Sequence, residues 1–135
     1  MSAEADYLRA EREGIRRTLN LVQDLLAKQT RSQFETIALG KLLQDVYSGL
    51  ERILRALLEE RGVRIEKGER WHKDLLLAAR KESFLSPSEF EAFRKLLLFR
   101  HVEVHGYGFT LEDERLAALA CSVIDICYDF LSHSS

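Results

Sequence analysis

The sequence predicts an all-α protein, an antiparallel four- to five-helix bundle with a long N-terminal helical hairpin, and three observations predict it. Apolar residues recur at three- and four-residue spacing through most of the chain, which is the period of a helix with one face buried. Helix start and stop signals fall between those runs, and no segment shows the alternation of a half-buried strand. A chain of 135 residues, 46% of them hydrophobic, suits a single domain over 1–135 with a core of useful size.

The elements follow in order. Tyr7, Leu8, Ile15, Leu19, Val22 and Leu26 form one stripe over residues 3–29, and Glu11, Arg12, Arg16, Arg17 and Asp24 occupy the other face. Ser32 with Glu35 three residues later reads as a capping box opening a second long helix. That helix carries Ile37, Leu42, Leu43, Val46, Leu50, Ile53, Leu54, Leu57 and Leu58, and Gly62 is its expected stop. Two long helices with a short joint predict the antiparallel hairpin. Residues 62–70 form the main loop, and a shorter helix starts at Trp71 and stops near Ser83. Ser86-Pro87-Ser88-Glu89 is the clearest start signal, with an N-cap serine, proline at the first helical position and a glutamate behind it. The helix it opens carries Phe90, Phe93, Leu96 and Leu97 to Arg100, and Gly106 and Gly108 end it near His105. Thr110 and Asp113 begin a last helix with Leu116, Leu119, Val123, Ile126, Cys127 and Phe130 on its stripe.

The formal net charge is −2, so nothing in the total charge demands a polyanionic partner, and any nucleic-acid surface must be a local patch. No apolar run approaches a membrane span, and the N-terminus lacks a signal-peptide pattern, so no membrane role is expected. Cys121 and Cys127, six residues apart on one helix, are poorly placed to bridge and are expected to be buried thiols in a reducing cytosol. No carboxylate cluster or Cys/His set has metal-ligand spacing, so the sequence calls for no metal and no cofactor.

The segment with most chemical content is Arg100-His101-Val102-Glu103-Val104-His105-Gly106-Tyr107. An arginine–histidine pair at this spacing is common by chance, but adding a tyrosine two residues after the histidine lowers the chance expectation to about 0.01 per chain of this composition. The rival pair Arg94 and His101 falls on one helical face, but no tyrosine follows at that offset. Arginine can grip a phosphate through two hydrogen bonds, and histidine exchanges a proton near neutral pH. Together they supply what a metal-free ribonuclease needs. The 2′-hydroxyl attacks the adjacent phosphate, leaving a cyclic phosphate and a free 5′-hydroxyl. His105 serves as general base or acid, and Arg100 neutralises charge growing on the phosphorane oxygens. The need for a 2′-hydroxyl makes such an enzyme blind to DNA.

With R-x4-H-x-Y near the end of the penultimate core helix of a bundle, the chain resembles the HEPN superfamily. Within it the likeness is to the HepT-like ribonuclease toxins of HepT–MntA (HEPN–MNT) toxin–antitoxin systems. Residues 99–109 carry the specific part of the resemblance, and Trp71-His72-Lys73-Asp74-Leu75 adds to it. The resemblance implies a cytoplasmic, homodimeric, metal-independent endoribonuclease acting on RNA. It also implies a partner, a minimal nucleotidyltransferase antitoxin that silences the toxin, in some systems by adenylylating the motif tyrosine, here Tyr107. Residues five apart in an unbroken helix differ by about 140° around the axis, so Arg100 and His105 do not share a face unless the helix breaks or two protomers contribute. The family implies the second, with a two-fold axis gathering both motifs into one groove. His101 stands where the family often has another polar residue and is assigned a supporting role. Glu103 is expected to point away from RNA.

Each of these residues also has a purely structural use. Arg100 suits an exposed helix end, His105 a fraying turn, and Tyr107 a core edge with its hydroxyl in water. His72 reads as helix-start packing beside Trp71. Arg61, Arg64, Lys67, Arg70 and Lys73 read as an ordinary solvated loop, because Glu66 and Glu69 interrupt them. The alternative function is a non-catalytic subunit that serves as partner or substrate of a minimal nucleotidyltransferase, with Tyr107 as its docking point.

Overall fold

A computed structural model describes residues 3–104 and 112–133, without the side chains of 4 and 102–104. The expectations placed on Glu103, His105, Gly106, Tyr107, Gly108 and Thr110 therefore lie outside the described residues. Five helices form a bundle: α1 Ala3–Leu26, α2 Gln33–Glu60, α3 Trp71–Lys81, α4 Pro87–Val104 and α5 Asp113–His133, with no strand among the described residues.

The hairpin of α1 and α2 is antiparallel. Glu11 meets Arg52 at 2.7 Å, and one turn further along α1 Ile15 lies against Gly49, one turn back along α2. A β-carbon on Gly49 would sit 2.6 Å from Ile15 Cγ1, so glycine is what lets the two helices close here. Leu8, Ile15, Leu19 and Val22 are buried as the stripe predicts, but Tyr7 is exposed. It stands about 100° around the helix from Leu8, on the flank of the stripe, where its hydroxyl can keep water.

At the start of α2 both halves of the capping box form: Ser32 Oγ accepts the Glu35 amide at 3.1 Å, and Glu35 Oε1 accepts the Ser32 amide at 2.8 Å. Ile37 is exposed rather than buried, because the neighbouring Thr36 is the side chain that turns inward, to Asp113. Gly62 adopts φ +82° beyond the end of α2, and the amides of Gly62 and Val63 return to the carbonyls of Glu59 and Leu58. That is the paired closure a left-handed residue permits. The end of α3 closes identically, except that Ser83, at φ +63°, takes the glycine position.

α4 opens on a second capping box, with Ser86 Oγ accepting the Glu89 amide at 3.1 Å and Glu89 Oε1 accepting the Ser86 amide at 2.8 Å. Phe93 of α4 and Phe130 of α5 meet edge to face at 5.1 Å in the centre of the bundle. α5 is long and apolar enough to cross a membrane by length and composition, against the sequence expectation, but Leu116, Ala120, Val123, Cys127, Phe130 and Leu131 are buried inside the bundle. Cys121 is exposed while Cys127 is buried, so the expectation of two buried thiols fails for Cys121. Six residues turn a helix by about 240°, which points the two side chains to different faces.

Asp113, the first residue of α5, fastens the start of that helix to the start of α2 and the turn before it. Its carboxylate accepts two hydrogen bonds from Arg31, at 2.7 and 2.9 Å, and one from Thr36 Oγ1 at 2.9 Å. The Arg31 guanidinium and then the Thr36 hydroxyl hold that carboxyl below its usual range.

Candidate functional site

The described part of the site is assembled by three helices. α2 contributes Tyr47, Glu51 and Arg55 at four-residue spacing, which keeps them on one face with a drift of about 40° per step. The first turn of α3 contributes Trp71 and His72, and the last turns of α4 contribute Arg100. Apart from Tyr47, which is buried outside the lining, these side chains line a cavity of about 260 Å³ together with Ser48 and Arg52 of α2 and Lys67 from the intervening loop.

Glu51 is 92% removed from solvent as a side chain, and a carboxylate that deep needs a partner. It has one in His72, whose Nδ1 stands 2.6 Å from Glu51 Oε2. The other ring nitrogen, Nε2, faces Arg100 Nη1 at 3.5 Å, the long end of hydrogen-bond range. Arginine has donors and no acceptor. A hydrogen bond between them therefore uses the Nε2 lone pair, and in that tautomer Nδ1 carries the hydrogen donated to Glu51. A carboxylate thus fixes the tautomer and orientation of an imidazole that points at a guanidinium. Tyr47 is fully buried beneath this pair. Burial first, and then the Glu51 charge, push its phenol well above the usual value, while Arg100 pulls it back. The Tyr47 hydroxyl has no partner in hydrogen-bond geometry among the described residues.

The rim of the cavity is cationic. Arg55 lies over the Trp71 ring at 4.8 Å and Lys67 over the same ring at 5.6 Å. Arg55 Nη2 is buried without a hydrogen-bond partner, so a fixed donor stands in the wall of the cavity. Four cations, Arg52, Arg55, Lys67 and Arg100, line the same space as one acid, Glu51, and Arg52 is already matched by Glu11. A chain of net charge −2 therefore concentrates positive charge where Arg100 stands. Such a pocket can hold an anion with several donors, and a phosphate group suits it. Among the described residues no three His, Cys, Asp or Glu side chains converge to hold a metal ion.

Of the residues singled out in the sequence, Arg100 is half-buried in this cavity, whereas His101 is exposed on α4. His105 and Tyr107 lie outside the described residues. The rival pair, Arg94 and His101, sits on the exposed face, where Arg94 bonds Glu91 at 3.2 Å. Of the five loop cations only Lys67 lines the cavity, and Arg61 instead covers Phe84 at 4.5 Å. His72 is more than helix-start packing, because it joins Glu51 to Arg100 while its ring also stacks on Trp71, 3.7 Å between centroids. Sequence reasoning missed Tyr47, Glu51 and Arg55. The available signal was a polar row at four-residue spacing inside a helix whose other inward positions are mostly aliphatic.

The fold and the site together define an all-α bundle with a cation-lined pocket at the C-terminal end of its penultimate helix. The profile of the HepT-like protein family matches residues 38–133, more than two thirds of the chain, and the protein belongs to that family, a HEPN-type toxin family. The match spans most of α2 through α5 and so includes the pocket and the R-x4-H-x-Y segment, while α1 precedes it. No curated protein and no solved structure shows a significant match to the chain.

Proposed function

We propose that this protein is the ribonuclease toxin of a toxin–antitoxin pair, a metal-independent endoribonuclease that cuts RNA by attack of the 2′-hydroxyl on the adjacent phosphate. Arg100 neutralises the phosphorane and His105 transfers a proton, with His101 in a supporting role. Two protomers pair so that both motifs line one cleft, in the cytoplasm, and no cofactor is used. The antitoxin is a minimal nucleotidyltransferase that adenylylates Tyr107, adding bulk and negative charge at the cleft.

Membership of the HepT-like family supports the toxin class. The observation that carries the catalytic reading is the placement of Arg100. A guanidinium meant only to decorate a helix end would point into water, whereas this one is half-buried in a cavity with three further cations and a histidine lone pair. Fixed donors in a partly enclosed space stabilise developing negative charge far better than flexible ones in water.

The test is cleavage of total RNA or tRNA by purified protein in excess EDTA, with Arg100→Ala and His105→Ala alongside. The expected result is cyclic-phosphate ends from wild type and silence from both variants. Equal inertness of all three, with the protein folded and unmodified at Tyr107, would overturn the catalytic reading and leave a binding subunit.

A further inference from the structure

We infer that His72, oriented by Glu51, is the general base of the cleavage step, and that His105 is left as the general acid. The inference rests on the ribonuclease reading above and assigns a catalytic group that the R-x4-H-x-Y segment does not contain.

Cleavage by 2′-hydroxyl attack has two proton transfers. One proton leaves the 2′-oxygen as the 2′-O–P bond forms, and one reaches the 5′-oxygen as the P–O5′ bond breaks. A single histidine in one protonation state cannot do both at once. The base must present a lone pair next to the group that grips the phosphate, because the 2′-hydroxyl is one ribose carbon away from the phosphorylated oxygen. His72 meets both conditions. Its Nδ1 hydrogen is committed to Glu51 at 2.6 Å, and its Nε2 lone pair faces Arg100 at 3.5 Å. A phosphate held by Arg100 would place the nucleophile within reach of Nε2, in the reach expected of a general base.

The surroundings fit this role. The Glu51 side chain is 8% exposed and the His72 side chain 21%, so the anchor is sealed while the ring opens to the cavity. When Nε2 takes the proton, the imidazolium faces Glu51 across an existing hydrogen bond, so its charge is balanced without rearrangement. Charges face the ring from α2 (Glu51, Arg55), from the loop before α3 (Lys67) and from α4 (Arg100). Three of them are cations that an incoming phosphodiester would neutralise. In the complete step the 2′-hydroxyl proton passes to His72 Nε2 and a proton from His105 passes to the 5′-oxygen. The products are a 2′,3′-cyclic phosphate and a 5′-hydroxyl, and both rings recover their starting state by exchange with water.

The experiment compares two RNA substrates of one sequence, the natural oligonucleotide and one with sulfur replacing the bridging 5′-oxygen at the mapped cleavage site. A thiolate leaves without protonation, so the acid becomes dispensable and the base does not. Kinetics are measured on the full chain in EDTA. His105→Ala is expected to be impaired on the natural RNA and close to wild type on the sulfur-bridged one. His72→Ala is expected to lose about 10²–10⁴-fold in kcat on both, with KM little changed, and to recover activity when free imidazole is added. His72→Gln, which can still hydrogen-bond to Glu51, should be equally slow and carries the test if the alanine variant does not fold.

Wild-type kcat in either His72 variant on natural RNA would overturn the inference and leave the ribonuclease reading intact. Recovery of His72→Ala on the sulfur-bridged RNA would also overturn it, by making His72 the acid. Unfolding of both variants would mark His72 as structural and overturn it as well. A wild-type chain that cuts neither RNA would remove the ribonuclease reading itself, an outcome separate from the others.

Discussion

Each end of α4 holds a histidine against a deeply buried glutamate, and the two settings differ in what the remaining polar atoms do. At the N-terminal end Glu89 uses one oxygen to accept the Ser86 amide and the other to meet His133 Nε2. Both oxygens serve the helix start and the docking of α5, and the His133 ring sets its edge against Phe130. Beside them the Cys127 thiol is pushed up to about 12 by burial and then by the Glu89 charge, so it stays protonated and inert. At the C-terminal end Glu51 holds His72, and the second ring nitrogen faces Arg100 in a space lined by cations. The cavity at the first end is the larger, about 680 Å³ against about 260 Å³, yet its polar groups are engaged in holding helices. Cavity size does not identify the chemistry here. The direction of one unshared lone pair does.

The largest effect that would break this contrast comes from changing the shape of a cation while keeping its charge. Arg100→Lys replaces a planar fork with a point charge, and cleavage in EDTA should fall about 10²-fold. Arg80→Lys at the other cavity should leave the rate unchanged, since Arg80 covers Phe90 at 5.1 Å and the Glu89–His133 pair in that cavity is engaged in holding helices. Equal rates for wild type and Arg100→Lys would mean that charge alone suffices at the C-terminal end, and the contrast with Arg80 would lose its basis.

The next effect runs the other way, on stability rather than rate. Ser86→Ala removes the oxygen that accepts the Glu89 amide at 3.1 Å. It should cost about 1 kcal/mol, read as a lower midpoint in thermal or urea unfolding. Cleavage by the folded fraction should not change. A rate loss in Ser86→Ala would show that the two ends of α4 are coupled.

The fold was legible because its signals are local. The Ser32–Glu35 and Ser86–Glu89 boxes, the stop at Gly62 and the stripes of α1 and α5 each lie within a few residues of sequence, and the bundle follows from them. Arg100 was legible for the same reason, as part of a short segment. Its partners were not, because Glu51, His72 and Arg100 come from three helices, and sequence spacing carries no information on which helix faces meet. Tyr7 and Ile37 were misplaced for a related reason: periodicity defines a face, but the width of that face depends on neighbours that packing supplies.

A smaller effect tests the anchor at the motif end. Asp113 takes two hydrogen bonds from Arg31 and one from Thr36 immediately after the segment that carries His105 and Tyr107. Its folded carboxyl lies below the ordinary value of 3.8. A depressed folded value gives stability that is fully present above the unfolded value and is lost as pH falls through the folded one. Wild type should therefore melt above Asp113→Asn by a constant margin between about pH 5 and pH 7, and the margin should close below about pH 4. A margin that persists into stronger acid would assign the effect to neutral hydrogen bonding. A margin absent at pH 7 would mean the anchor contributes nothing.

The smallest effect concerns how the chain enters the N-terminal end of α4. α2 and α3 terminate with the same pair of backbone hydrogen bonds, but α2 uses Gly62 at φ +82° and α3 uses Ser83 at φ +63°. A left-handed backbone brings the β-carbon of any L-residue against the following carbonyl, at a cost of about 1–2 kcal/mol, and glycine escapes it. Glycine gives back part of that advantage because it has more freedom to lose on folding. Ser83→Gly should therefore stabilise the protein by about 0.5–1 kcal/mol and raise its melting point by a few degrees. Gly62→Ala should cost about as much, since nothing lies within 4 Å of the added carbon and only the backbone penalty acts. Ser83 precedes the capping box and lines the larger cavity, so neither change should alter cleavage if that end is purely structural. A Ser83→Gly protein that melts higher but cuts more slowly would show that the turn before α4 has a part in the reaction, and the distinction between the two ends would have to be redrawn.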